Sequence, residues 1–417
     1  MERNKGITLI ALIITIIILL ILVGVSINLA IKGDLFGSAE KAVSGTNDKT
    51  AQEQTRVDEL MGELDKVEEQ QRQQEEAEKQ KNLPGTRVTE NTKYIRDGKT
   101  AWIPKGFTVS GIKSEQSIDN GLVIYDIPEG TTPDWTSPDS VKTAYNQFVW
   151  IPVEVKSTDT ENSIASFYRS AWAENTATGG ERTTGLDAAY TEPYSYDTTN
   201  NYDQTNGIAD QITELTKSIY KYGGFYIGRY EAGSTTERQK SSSQTEEFVV
   251  QQDKYPYVLV IWGINMSDVS IGAVYLCNNL YSKTNTNYGA TSMLCSGASW
   301  DSMLDFIKDS SHSVTDSTTW GNYSNSETYK IYRGSLGVYS NSVYTWNAAN
   351  ATAGTEVTKG DEILLTTGAT ERNSSKNIYD VAGNCCEWTT ESCRSFWRSG
   401  SGRWIQLRWF QPSGEWS

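Results

Sequence analysis

The chain has a single histidine in 417 residues, and that scarcity removes whole classes of chemistry. His312 lies in a Ser/Asp/Thr-rich stretch, "DSSHSVTDS", where a solvated loop histidine is a better reading than the centre of a Ser–His–Asp triad. Cysteine is sparse as well: five residues, an odd count with no regular spacing, so no disulfide framework can be read. Adjacent Cys385 and Cys386 plus a lone Cys393 offer neither a Cys-x2-Cys spacing nor a fourth ligand, which argues against tetrahedral zinc. Free thiols acting as small buried hydrophobes are the main reading, with a Cys386–Cys393 or Cys277–Cys295 disulfide as the alternative. Basic residues are outnumbered, 37 Lys and Arg against 52 Asp and Glu, and the formal charge of −15 argues against nucleic-acid partners. What the chain does have is 23 Tyr and 13 Trp among Ser, Thr, Asn and Gly, a composition suited to loop-rich recognition surfaces. Its length allows one to three domains.

Charge is missing altogether from Ile7 to Ile31, after Arg3 and Lys5. At 1.5 Å per residue such a helix spans roughly 37 Å, enough for a hydrocarbon core of about 30 Å. The positive flank predicts a single-pass membrane protein with its N-terminus cytoplasmic and everything after Lys32 outside. Lys5-Gly6 followed by "ITLIALIIT" resembles the type IV prepilin leader. That resemblance implies a prepilin peptidase as partner, cleavage after Gly6 and methylation of Ile7. Major pilins carry Glu at the fifth mature position, whereas this chain has Ala11, which puts ordered filament assembly in question. A plain signal anchor is the alternative.

Residues 49–81 are rich in Glu, Gln and Lys and hold a helical stripe at Val57, Leu60, Leu64 and Val67. The stripe fades into Gln71 and Gln74, too short for a coiled coil, so a solvated helical stalk with weak, pilin-like self-association is expected. "NLPG" at 82–85 ends it. Beyond it the pattern turns to apolar-aromatic runs, "TAWIPKGFTVSG", "NGLVIYD", "NQFVWIPVEV", "GGFYIGRYEAG" and "YPYVLVIWG", read as strands. Helices are predicted near 207–221 and 298–308, and long surface loops over 156–206.

"NQFVWIPV" (146–153), "GGFYIGRYEAG" (223–233), "YPYVLVIWGINMSD" (255–268), "ATSMLCSGASWDSMLDFI" (290–307) and "NIYDVAGNCCEWTTE" (377–391) occur in the order seen in formylglycine-generating-enzyme-like, or sulfatase-modifying-factor, proteins. The resemblance implies an α+β fold of the C-type-lectin-like kind over residues 86–417, behind a leader (1–6), a transmembrane helix (7–31) and a stalk with linker (32–85). In the last motif Asn377, Asp380, Gly383, Asn384, Glu387, Trp388 and Thr389 match the family pattern. Physically, Gly383 permits a tight backbone approach, Asn384 hydrogen-bonds a neighbouring turn, and Trp388 fills core. Glu387 is costly to bury unless paired or bound to a cation. Calcium is the cofactor some relatives hold near this turn, and Asn384 and Glu387 are its candidate ligands here. An Arg-paired or hydrogen-bonded glutamate is the alternative.

The enzymes of this family use a cysteine pair downstream of the Glu-Trp turn, and no cysteine follows Cys393. The expectation is therefore a non-enzymatic, adhesin-type binding protein on a Gram-positive bacterial surface, with an extracellular protein or glycan as ligand. A formylglycine-generating-type oxidase and a minor structural pilin are the alternatives. In lectin-like relatives diversified by retroelements the C-terminal segment binds ligand. Residues 394–417, with four Arg, four Trp and one acidic residue, are either such a variable surface or a frameshifted end. As a surface, Trp397, Arg398, Arg403, Trp404, Arg408 and Trp409 are the expected hot spots.

Overall fold

Residues 147–152, "QFVWIP", are apolar at every central position, which a strand tolerates only when both of its faces are covered. The computed structural model describes residues 39–183, 190–191, 207–237, 247–260, 272–340, 343–358 and 363–393. The chain divides into two units, Met1–Ala77 and Glu78–Ser417.

In the first unit the described chain is helical. Helix α1 (Ala39–Asn82) continues as far as the Leu83-Pro84-Gly85 break. Leu60 and Val67 of its stripe are half exposed. One expectation is corrected here: the placement as a single-pass membrane protein with an extracellular head finds no support. No helix among the described residues is long and apolar enough to cross a membrane, α1 being long but dominated by Glu, Gln and Lys. The segment 7–31, with Gly6 and Ile7 ahead of it, lies outside the described residues.

The second unit is α+β, built on antiparallel sheets. Its central sheet runs β1 (Thr108–Val109), β2 (Val123–Tyr125), β3 (Gln147–Pro152), β4 (Gly224–Gly228), all antiparallel. Period-two alternation sends Val123, Val149, Ile151 and Phe225 to one core and Ile124, Trp150 and Leu122 to another. Both faces are thus buried, which accounts for the unbroken apolar run. At roughly 1.5–3 kcal/mol per large buried apolar side chain, this sheet anchors the unit.

Helices α2 (Pro138–Ala144), α3 (Ile208–Tyr222), α4 (Ala273–Leu280) and α5 (Gly297–Ile307) are the α-helices that lie wholly within this unit's described residues. Helix α3 stops where Gly223 adopts φ 78° and donates its N–H to the Ile219 carbonyl at 2.7 Å, a left-handed cap. Helix α5 starts on the Ser296 hydroxyl, which accepts from the Ser299 N–H. It lays Met303, Leu304 and Ile307 against the first core. Both helices match the positions expected from periodicity.

The described residues 156–183 differ from the loop expectation placed on 156–206, the rest of which lies outside the described residues except for 190–191. Ala171–Ala173 and Glu181–Thr183 pair as a hairpin, and Ile164, Phe167 and Trp172 pack into the first core. Arg169 pins this region, donating to Asp301 Oδ2 at 2.6 Å and to Glu391 Oε2 at 2.6 Å, while Trp172 Nε1 donates to Asp301 Oδ1 at 3.0 Å. The hairpin strands are only three residues each, Ala-Trp-Ala and Glu-Arg-Thr, too short for an alternation to announce them. The run "YPYVLVIWG" also yields less strand than expected: Tyr255–Pro256 pairs with Gly233–Ser234, Val258–Val260 are not strand, and 261–271 lie outside the described residues.

Candidate functional site

The motif 377–391 folds as a succession of left-handed residues: Asn377, Asp380 and Asn384 have φ of 63°, 62° and 64°, and Gly383 has φ 77°. Asn and Asp tolerate this region better than other non-glycine residues. A Cβ on Gly383 would sit 2.2 Å from the Asn322 carbonyl oxygen, so the close approach requires glycine. Asn384 closes the turn. Its Oδ1 accepts from the Leu365 N–H at 2.8 Å and from Asn322 Nδ2 at 2.9 Å; its Nδ2 donates to the Leu365 carbonyl at 3.1 Å and to Glu231 Oε1. Trp388 packs with Ile208, Ala273, Val274 and Leu294 and donates Nε1–H to the Val260 carbonyl at 3.1 Å.

These contacts place the motif in the wall of a cavity of about 1010 Å³. Its lining includes Tyr257, Trp388, Glu231, Asp380 and Glu387, together with Phe148, Tyr226, Tyr281 and Tyr288. Cys277, Cys295, Cys385 and Cys386 also line it and carry free thiols, so the Cys277–Cys295 disulfide is not formed.

Burial dominates the electrostatics. It raises the Glu231 carboxyl well above the usual range, helped by repulsion from Asp380 and Glu387. Glu387 is likewise raised by burial, then by Asp380. Asp380 is pushed up to about 7 by burial, although it accepts hydrogen bonds from the Gly368 N–H at 2.7 Å and Asn373 Nδ2 at 3.1 Å. Three of the thiols follow the same rule: Cys277 rises to about 12 and Cys385 and Cys386 also rise, all primarily through burial, so none of these three is poised as a thiolate.

A carboxyl whose folded-state pKa is raised takes up a proton more readily when folded, so stability grows as pH falls through that value. Asp380 should therefore make the chain more stable at pH 6 than at pH 8, by on the order of 1 kcal/mol. Thermal unfolding at the two pH values checks this, and the difference should shrink in Asp380→Asn.

The calcium implied by the family resemblance does not fit this donor set. Both acceptor positions of Asn384 Oδ1 are already taken, whereas calcium requires six to eight oxygens. No group of three or more His, Cys, Asp or Glu among the described residues could hold a metal ion. Glu387 lines the cavity, whereas Asn384 is committed to the turn. The tail residues Trp397, Arg398, Arg403, Trp404, Arg408 and Trp409 lie outside the described residues. His312 is a local structural residue, its Nδ1 3.0 Å from Asp309 Oδ1 and its ring packed edge-on against Trp320.

Sequence reasoning assigned no role to Glu231 or Arg229. The signal was present in "GRYE", where two opposite charges interrupt an apolar-aromatic run. Arg229 is 1 % exposed and reaches Glu115 Oε1 at 2.9 Å, Gln147 Oε1 at 3.1 Å and the Tyr125 hydroxyl at 3.2 Å. Comparison with known proteins adds no identity: no family model, curated protein or solved structure matches the chain.

Proposed function

We propose that the second unit is a binding module that takes an organic ligand into the cavity and performs no chemistry on it. The cavity itself carries this reading: it is of small-molecule size and its lining is predominantly apolar and aromatic. The raised thiols add support, because cysteine-dependent oxidation needs a thiolate or a metal-bound sulfur. In the same proposal the unit has a C-type-lectin-like architecture of the formylglycine-generating-enzyme kind. Supporting it are the adjacency of "NQFVWIP" and "GGFYIG" as paired strands and the Asn384 turn joined to Glu231. The Arg/Trp-rich tail is a second proposed face, resting on position and composition alone.

Titration of the full-length chain with the neutral fluorophore N-phenyl-1-naphthylamine tests the reading. Saturable binding to the folded protein is expected, weakened at least tenfold by Leu276→Trp, which fills the cavity from α4, with the unfolding temperature preserved. A folded chain that shows no saturable binding overturns it. Oxidation of a cysteine peptide, with or without copper, would instead favour the oxidase.

A further inference from the structure

Strand β5 (Ser335–Ser340) lies between β6 (Val343–Ala348) and β7 (Ile363–Leu365), so β6 forms an edge of this sheet. The Ala349 N–H donates to the Gly334 carbonyl at 2.8 Å, which fixes the pairs of the hairpin that are hydrogen-bonded. Counted along the antiparallel register, Leu336↔Asn347 and Val338↔Thr345 exchange hydrogen bonds, whereas Ser335↔Ala348 and Gly337↔Trp346 do not. The backbone groups of Trp346 and Ala348 therefore point out of the sheet's edge, where no strand of the described residues pairs with them. Such an edge is a template for a further strand, and proteins guard it with charge or proline. Two other small sheets of the unit carry such charges: Lys93, Arg96 and Lys99 in one, Lys330 and Glu356 in the other. The segment "VYTWNA" (343–348) has neither, and all of 335–348 is uncharged in a chain of net charge −15. Thr345, Asn347 and Ala348 are exposed.

We propose that this edge pairs with the same edge of a second copy of the chain, antiparallel and with Asn347 on the twofold axis. In that register Trp346 of each copy stands opposite Ala348 of the other, and their outward backbone groups exchange hydrogen bonds. The strand is complementary to itself there. A large ring meets a methyl group on one face, and on the other the two Asn347 amides meet, each able to donate and accept. Charge selects the occupant. Like charges set opposite each other oppose self-pairing, and this strand has none, whereas an acidic or basic segment of another protein finds no countercharge along 343–348. Trp346 is already held in place: a Cβ on Gly337 would meet its ring at 3.0 Å, and Tyr255 packs edge-on against it at 4.9 Å between centroids. Pairing over so few residues is small beside the roughly 1,200–2,000 Å² of a stable interface, so the association is reversible. It does not depend on the cavity.

Asn347→Cys in the full-length chain tests the register. Opposed residues of a non-hydrogen-bonded pair lie about 4.5 Å apart at Cα, within the range that a disulfide spans. Air oxidation catalysed by copper–phenanthroline should join two copies through position 347, each thiol giving up one hydrogen, and peptide mass spectrometry identifies the link. Thr352→Cys, on an exposed turn nearby, is the control and should link at least tenfold less. Adding Ala348→Pro to Asn347→Cys removes an outward N–H that the hairpin does not use. The yield should fall at least tenfold with the unfolding temperature preserved. Should that variant fail to fold, Thr345→Lys, which places a charge on the exposed edge, takes its place with the same expectation. Linkage at 347 no greater than at 352 overturns the inference. So does linkage undiminished in a folded Ala348→Pro or Thr345→Lys variant, or a yield that does not rise with protein concentration.

Discussion

Replacing Arg229 with Met should cost about 3–5 kcal/mol of folding stability, read as a large fall in the urea midpoint. The guanidinium is almost wholly buried, and its removal strands the equally buried Glu115 carboxylate. The Gln147 side chain and the Tyr125 hydroxyl also lose a partner. Lys142, 3.3 Å from Glu115, keeps part of the compensation, which places the expectation toward the lower end of that range. The surface pair Lys99–Asp119, half exposed on both sides, sets the contrast, since breaking it should cost under about 1 kcal/mol. The double variant Arg229→Met with Glu115→Gln should recover much of the loss, because it removes the stranded charge. Acid gives a second readout. Burial works against the Glu115 charge, but Arg229, Lys142 and the Ser110 hydroxyl outweigh it and hold the carboxyl below its ordinary range. A lowered folded-state value means stability that is present above the ordinary carboxylate range and lost as pH falls through the folded value. That acid-side loss should flatten in Arg229→Met. A change below about 1 kcal/mol in the single variant would mean the pair is not an anchor.

Legibility tracked the amount of apolar periodicity each segment carries. The strand over 147–152 was readable as a short continuous apolar run and helices α3 and α5 because their apolar residues recur at three and four, and burial then follows the pattern. The hairpin at 171–183 was not, because its stability comes from Arg169, Asp301 and Trp172, partners far apart in sequence. The site divides the same way. Gly383, Asn384 and Trp388 announced their physical roles through local conformational and packing needs. Glu231 did not, since a lone carboxylate after a strand reads as solvated until the fold shows the motif packed against it. Its junction with Asn384 is a property of the assembled wall, and no local spacing encodes it.

Truncating Asn384 should separate the two contributions that hold this wall. Asn384→Ala removes a side chain that satisfies Leu365 N–H, Leu365 carbonyl, Asn322 Nδ2 and Glu231 Oε1 at once. Each buried polar group left unpaired costs roughly 1–3 kcal/mol, though the four share one side chain and their losses do not add in full. The backbone adds to this, because φ at this position is 64° and alanine resists the left-handed region by about 1 kcal/mol. A total near 3–4 kcal/mol is expected. Asn384→Gly keeps the backbone at ease and loses only the hydrogen bonds, so it should be more stable than Asn384→Ala by about 1 kcal/mol. Asn384→Asp retains the shape and the acceptor for Leu365 N–H, but turns a donor toward Glu231 into a second carboxyl. It should therefore be no more stable than Asn384→Gly, and its deficit should shrink at low pH, where both carboxyls are protonated. Urea unfolding of the three variants orders them. A small loss in Asn384→Ala, equal to that in Asn384→Gly, would show that the turn is held by backbone pairing with Asn322 alone and that Glu231 owes its position to something other than this asparagine.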